Sequence, residues 1–147
     1  MAELRRILLV EDSQYDAELI VAALAENGLA NEVEIARDGA EALEYLLHRG
    51  RSELTDGNPA VVLLDLHLPK MDGLEVLERI KNDPAMRSIP VVMLTSSREE
   101  QDLVKSYGLG VNAYVVKPVD FQEFVKAIKQ VGLFWGLINQ PPPRDAI

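Results

Sequence analysis

Five side chains have the types and the spacing to do chemistry together: Glu11, Asp12, Asp65, Thr95 and Lys117. Each of the four groups stands directly after a short apolar run. Glu11-Asp12 follows Ile7–Val10, Asp65 follows Val61–Leu64, Thr95 follows Val91–Leu94, and Lys117-Pro118 follows Tyr114–Val116. If those runs are parallel strands, their ends share one edge of a sheet, and three carboxylates, a hydroxyl and an ammonium converge there. Two unit charges 4 Å apart repel by ~1 kcal/mol in water and ~4 kcal/mol at an effective dielectric of 20. Three crowded carboxylates therefore need neutralisation. Lys117 offsets one charge, and a hard divalent cation offsets two more. Mg²⁺ suits such a donor set, because it takes a few carboxylates and a carbonyl and keeps several waters. The plainer alternative is a structural salt-bridge cluster.

The elements that must position these residues can be read from the apolar pattern. The four-residue runs are too short for helices and fit strands buried on both faces. Between them, apolar residues recur at helical spacing: Ala17, Leu19, Ile20, Ala23 and Leu24, with a stop at Asn27-Gly28. Ala42, Leu43, Leu46 and Leu47 form a second such face, and Leu74, Val76, Leu77 and Ile80 a third. A weaker helix is expected over about 99–107. Phe121, Phe124, Val125, Ile128 and Val131 line a last helix running toward Ile138. Asp38 with Glu41, and Asp120 with Glu123, have capping-box spacing, and Asp72 can cap the third helix. Val33 and Ile35 alternate with Glu32 and Glu34 and predict a half-exposed strand. Residues 50–59 read as a loop. Five strands alternating with five helices predict an α/β fold with a parallel sheet. In open sheets of that kind, ligands sit at the carboxyl ends of the strands.

Composition narrows the function classes. The chain has 147 residues, a net charge of −9 from 24 acidic and 15 basic residues, and no cysteine. The missing cysteine excludes a disulfide framework, thiolate metal sites and a cysteine nucleophile. The acidity disfavours non-specific binding to nucleic acid or anionic membrane. The longest apolar runs fall far below the ~18–20 residues of a membrane span, and the run before Glu11 is too short for a signal-peptide core. These features predict a cytoplasmic protein with a single domain over residues 1–140 and a tail at 141–147.

The order Glu11-Asp12, Asp65, Thr95, Lys117-Pro118 resembles the receiver domain of two-component response regulators. The segment Leu68-Pro69-Lys70-Met71-Asp72-Gly73 and Tyr114 just before Lys117 match as well, and the likeness covers about residues 5–135. The resemblance implies a doubly wound, flavodoxin-like sheet of strand order 2-1-3-4-5. It implies that Asp65 is the phosphoacceptor for a phosphohistidine on a sensor histidine kinase. Asp12, Asp65 and the backbone carbonyl of His67 would bind Mg²⁺, and Glu11 would act mostly through a metal-bound water. Family members more often have Asp where this chain has Glu11, and the longer side chain suits the water-mediated role. Thr95 and Lys117 would each hold a phosphoryl oxygen, with Lys117-Pro118 cis. The residue types agree with the chemistry: a carboxylate is an adequate nucleophile for an acyl phosphate, and phosphoryl transfer is mainly positioning and charge stabilisation. For the His67 imidazole, exposure on a loop is the plain reading, because Mg²⁺ prefers oxygen. His48 is assigned no function.

The same resemblance makes Thr95 and Tyr114 a switch pair. Their response to phosphorylation would alter the face made by the fourth predicted helix, the fifth strand and the last helix. About 30 residues follow Lys117, too few for an effector domain, so the expectation is a stand-alone receiver with a protein partner as output. Leu133, Phe134, Trp135, Leu137 and Ile138 crowd large apolar groups that one helical face cannot bury. A homodimer through Phe134, Trp135 and Ile138 is the corresponding expectation. The loop at 50–59 and the Gly132–Trp135 ending are similar to regulators paired with bacterial and cyanobacterial phytochrome kinases.

Three rivals remain. A strand-end aspartate phosphatase wants a second acid two residues after the nucleophile, where this chain has His67. A flavodoxin-like electron carrier wants a phosphate loop after the first strand, where Glu11-Asp12-Ser13-Gln14 would repel phosphate. A receiver-like module that binds partners without phosphorylation would not need the full acceptor set.

Overall fold

The computed structural model describes residues 6–26, 31–51, 58–97, 108–111 and 113–130. Five strands, β1 (Ile7–Val10), β2 (Val33–Ala36), β3 (Val61–Asp65), β4 (Val91–Thr95) and β5 (Ala113–Val116), form one sheet of order β2-β1-β3-β4-β5. Every pairing is parallel. The helices described are α1 (Gln14–Glu26), α2 (Gly39–Arg51), α3 (Gly73–Asn82) and α4 (Phe121–Gln130). This is the α/β fold with a parallel sheet expected from the alternation of apolar runs, in the doubly wound strand order that the resemblance implied.

Strand periodicity divides the core into two layers. Ile7, Leu9, Leu63, Val92, Leu94 and Val115 face α1 and α4, where Ile20, Leu24 and Phe124 meet them. Leu8, Val10, Val62, Leu64, Val91 and Met93 face α2 and α3, packing on Leu46, Val76, Leu77 and Ile80. Strands β1, β3 and β4 are buried along their whole length, which accounts for their uninterrupted apolar sequence. Edge strand β2 is largely half-exposed, although its most open residue is the apolar Ile35 rather than the Glu34 that the alternation points outward.

The helix starts follow local chemistry. The Asp38 carboxylate accepts from the Glu41 amide at 2.8 Å, Asp72 from Glu75 at 2.9 Å, and Asp120 from Glu123 at 2.8 Å. Each satisfies an amide that the first helical turn leaves unpaired. Helix α2 continues through Gly50 to Arg51, so the loop begins later than the glycine suggests. A glycine costs ~1 kcal/mol in a helix relative to alanine but does not forbid one. The expected helix over 99–107 and the apolar tail residues Leu133, Phe134, Trp135, Leu137 and Ile138 lie outside the described residues.

Candidate phosphoacceptor and metal site

The sheet register brings the reactive residues to one edge. Val10 pairs with Leu64 across β1 and β3, Asp65 with Leu94 across β3 and β4, and Thr95 with Val116 across β4 and β5. Main-chain bonds continue past the strand ends. The Glu11 amide donates to Ala36 O at 2.9 Å, Leu66 to Leu94 O at 2.8 Å, and Lys117 to Thr95 O at 2.7 Å. The backbone that carries these side chains is thus as firmly held as the sheet. The Lys117-Pro118 bond is cis.

Glu11, Asp65 and Thr95 are buried, whereas Asp12 is exposed. The Lys117 ammonium stands 2.6 Å from Glu11 Oε1, 3.1 Å from Asp65 Oδ2 and 3.4 Å from Asp16 Oδ2. The contact with Glu11 is an ion pair that lacks the alignment of a hydrogen bond. The other oxygen of Glu11 accepts from the Ser13 amide at 3.2 Å, and Asp65 Oδ1 accepts from the His67 amide at 3.1 Å. Asp65 is therefore clamped between an ammonium on one oxygen and a backbone N–H on the other. The Thr95 hydroxyl is fully buried and, among the described residues, has no hydrogen-bond partner. A buried hydroxyl without a partner costs about 1–3 kcal/mol.

The loop from β3 to α3 depends on close approach. A Cβ on Gly73 would overlap the Asp65 carbonyl oxygen and stand 2.8 Å from Leu66 Cα, so only glycine lets α3 begin against the strand end. The Gly73 amide donates to Leu66 O at 3.0 Å, and Lys70 takes a left-handed φ of 66°. These contacts explain the Leu68–Gly73 segment as the support for Asp65.

Burial pushes the Glu11 carboxyl up to about 7; the Lys117 ammonium opposes that rise and Asp65 adds to it. Burial also works to lower the pKa of Lys117, but Glu11 and Asp65 outweigh it and hold the group above its ordinary value. Three carboxylates nonetheless stand against one ammonium. Oxygens of Glu11, Asp12 and Asp65 all lie within 4.8 Å of one another. Clustered carboxylates, with Asp12 open to water, suit a hard divalent cation that retains part of its hydration shell.

The structure brings together the side chains of Glu11, Asp12, Asp65 and Lys117, and the sheet register puts the Thr95 backbone on the same edge. His67 is exposed, and its backbone amide donates to Asp65. Tyr114 is half-buried on β5 and pairs with Met93, so it shares a sheet face with Thr95 two residues further along β4. Asp16 escaped the sequence reasoning. Its signal was an acid in the first turn of the helix that follows Asp12, a position also favoured by the helix dipole alone.

This geometry is that of a phosphoacceptor module, and the chain belongs to the response regulator receiver domain family, whose model matches residues 7–129. Among solved structures, the bacteriophytochrome response regulator AtBRR is 62% identical, with a TM-score of 0.83 over 95% of this chain and 100% of that one. Response regulator Rcp1 of Synechocystis sp. (strain ATCC 27184 / PCC 6803 / Kazusa) is 42% identical over 129 residues, 88% of this chain and 87% of Rcp1. A crystal structure of its Mn²⁺-bound form has a TM-score of 0.69 at 41% identity, covering 89% of this chain and 94% of that one. The phosphorylated cyanobacterial phytochrome response regulator RcpA is 42% identical with a TM-score of 0.72, covering 90% and 94% of the two chains. Among the described residues, no helix is long and apolar enough to cross a membrane.

Proposed function

We propose that this receiver accepts a phosphoryl group on Asp65 from a phosphohistidine of a sensor histidine kinase. The observation that carries the reading is the clamped Asp65 carboxylate, 3.1 Å from Lys117 Nζ and grouped with Glu11 and Asp12. In the transfer, an Asp65 oxygen bonds to phosphorus as the phosphorus–nitrogen bond breaks. The imidazole leaves with the bonding electrons and is free to take up a proton, and an acyl phosphate remains. Lys117 and the Thr95 hydroxyl hold phosphoryl oxygens, which concentrates charge stabilisation where the transferred group needs it. Asp12, Asp65 and the His67 carbonyl would hold Mg²⁺, with Glu11 reaching it through water. A bound Mg²⁺ would supply neutralisation of the phosphoryl charge. The protein promotes its own phosphorylation and dephosphorylation and is not an enzyme with a separate substrate. Labelling with acetyl phosphate and Mg²⁺ tests the assignment: Asp65→Asn is expected to abolish it, and undiminished labelling would place the acceptor elsewhere.

The 62% identity to a bacteriophytochrome response regulator supports a phytochrome-type kinase as the phosphoryl donor. Phosphotransfer profiling against a panel of histidine kinases checks this; transfer only from kinases without a phytochrome module would reject it. The output surface is read as the expected helix over about 99–107, β5 and α4; Thr95 and Tyr114 share the sheet side opposite α4, so their response would be felt first on the side away from that helix. The phosphoryl group shifts that face only by its differential affinity for two states. The unit is read as a single receiver over 1–140, dimerising through Phe134, Trp135 and Ile138. Sedimentation of wild type and Trp135→Ala decides the dimer, and monomeric behaviour of both removes it.

A further inference from the structure

Lys117 has three carboxylate neighbours, and they are not equivalent. Glu11 and Asp65 also belong to the group of oxygens that can hold a divalent cation, whereas Asp16 does not. A cation held by Asp65, with Glu11 turned to it through water, competes with Lys117 for both carboxylates and sets a double positive charge beside a half-buried ammonium. That ammonium then needs a counter-ion that the cation does not share.

We propose that Asp16 is the positioning residue that serves as this counter-ion, holding the Lys117 ammonium at the site while a cation engages Asp65 directly and Glu11 through water. The inference rests on the site assignment above.

Several observations carry it. The Asp16 Oδ2 to Lys117 Nζ contact, at 3.4 Å, spans 101 residues of sequence and joins α1 to the end of β5. The Lys117 side chain is 19% exposed and that of Asp16 is 40% exposed. Asp16 therefore stays hydrated while the ammonium lies deeper. The Asp16 backbone is fixed, because its amide donates to Ser13 Oγ at 3.2 Å. Ser13 in turn donates its own amide to Glu11 at 3.2 Å. One short stretch thus presents Glu11 and Asp12 to the cation and Asp16 to the lysine. A crevice of about 40 Å³ lined by Asp16, Leu19, Ile20, Lys117, Pro118 and Val119 surrounds the contact. Its largely apolar walls reduce screening of the pair.

Calorimetric titration with Mn²⁺ tests the idea in wild type, Asp16→Asn, Lys117→Gln and the double variant. Asp16→Asn is expected to weaken binding several-fold in the wild-type background, because an unneutralised Lys117 then repels the cation. In the Lys117→Gln background the same change is expected to alter the dissociation constant less than twofold. Asp16→Glu, whose longer arm still reaches the ammonium, is expected to restore most of the affinity. An unchanged dissociation constant for Asp16→Asn would overturn the proposal. So would equal weakening in both backgrounds, since Asp16 would then act only as a general negative charge. No Mn²⁺ binding by wild type would overturn the site assignment itself, and this inference with it.

Discussion

The body of the sheet and its carboxyl edge are built on opposite principles, although they share the same strands. Along β1, β3 and β4 every position before the last residue is apolar and buried. One residue further, at Glu11, Asp65 and Thr95, the chain buries two acids and a hydroxyl. Among the described residues Asn31 is the only other buried polar residue. The body gains stability from area removed from water, ~25 cal/mol per Å² of apolar surface. The edge gives some of that up: Glu11 is partly neutralised by burial and the Thr95 hydroxyl has no partner among the described residues. The difference teaches where stability and chemistry reside, and substitutions should separate them.

Leu63→Ala attacks the body and is expected to have the largest effect on stability. Leu63 is fully buried on β3, and such truncations cost about 2–5 kcal/mol. Urea unfolding should show that loss while Mg²⁺-dependent labelling of the folded fraction persists. A loss of labelling in the folded fraction would mean that body and edge are not separable.

Thr95→Val attacks the edge. It removes the orphaned hydroxyl and keeps the shape, so stability should stay within about 1 kcal/mol of wild type or rise. Acetyl phosphate labelling should slow markedly. A large destabilisation would show that the hydroxyl has a structural partner.

The smallest expected effect concerns pH. Glu11 is pushed up to about 7 in metal-free protein, against an ordinary carboxylate value of ~4.3 in the unfolded chain. Between those values the folded state holds a proton that the unfolded state has released. Stability in EDTA should therefore fall as pH rises from about 5 to about 7. Cation binding needs the ionised form, so affinity should weaken as pH falls below about 7. Thermal melts across that range, with and without Mg²⁺, check both trends; a flat profile in EDTA would show that Glu11 is already ionised.

Local chemistry made much of this legible in the sequence. The caps at Asp38, Asp72 and Asp120 bond amides three residues away, so spacing alone reveals them. The strands showed as apolar runs because both of their faces are covered. Parallel pairing then placed Glu11, Asp65, Thr95 and Lys117 on one edge without reference to distance. Gly50 misled, because a glycine near a helix end is tolerated as well as terminal.

The sequence by itself determined the alternation of elements, the strand ends that carry acids, hydroxyl and ammonium, and the family to which that order belongs. Only the tertiary structure decided which oxygen of Asp65 meets Lys117 and which meets the His67 amide. It alone showed that the Thr95 hydroxyl has no partner among the described residues and that Asp16 reaches across 101 residues to the same ammonium. The reason is physical: periodicity and capping depend on neighbours along the chain, whereas charge pairing and desolvation depend on what folding brings within a few ångströms.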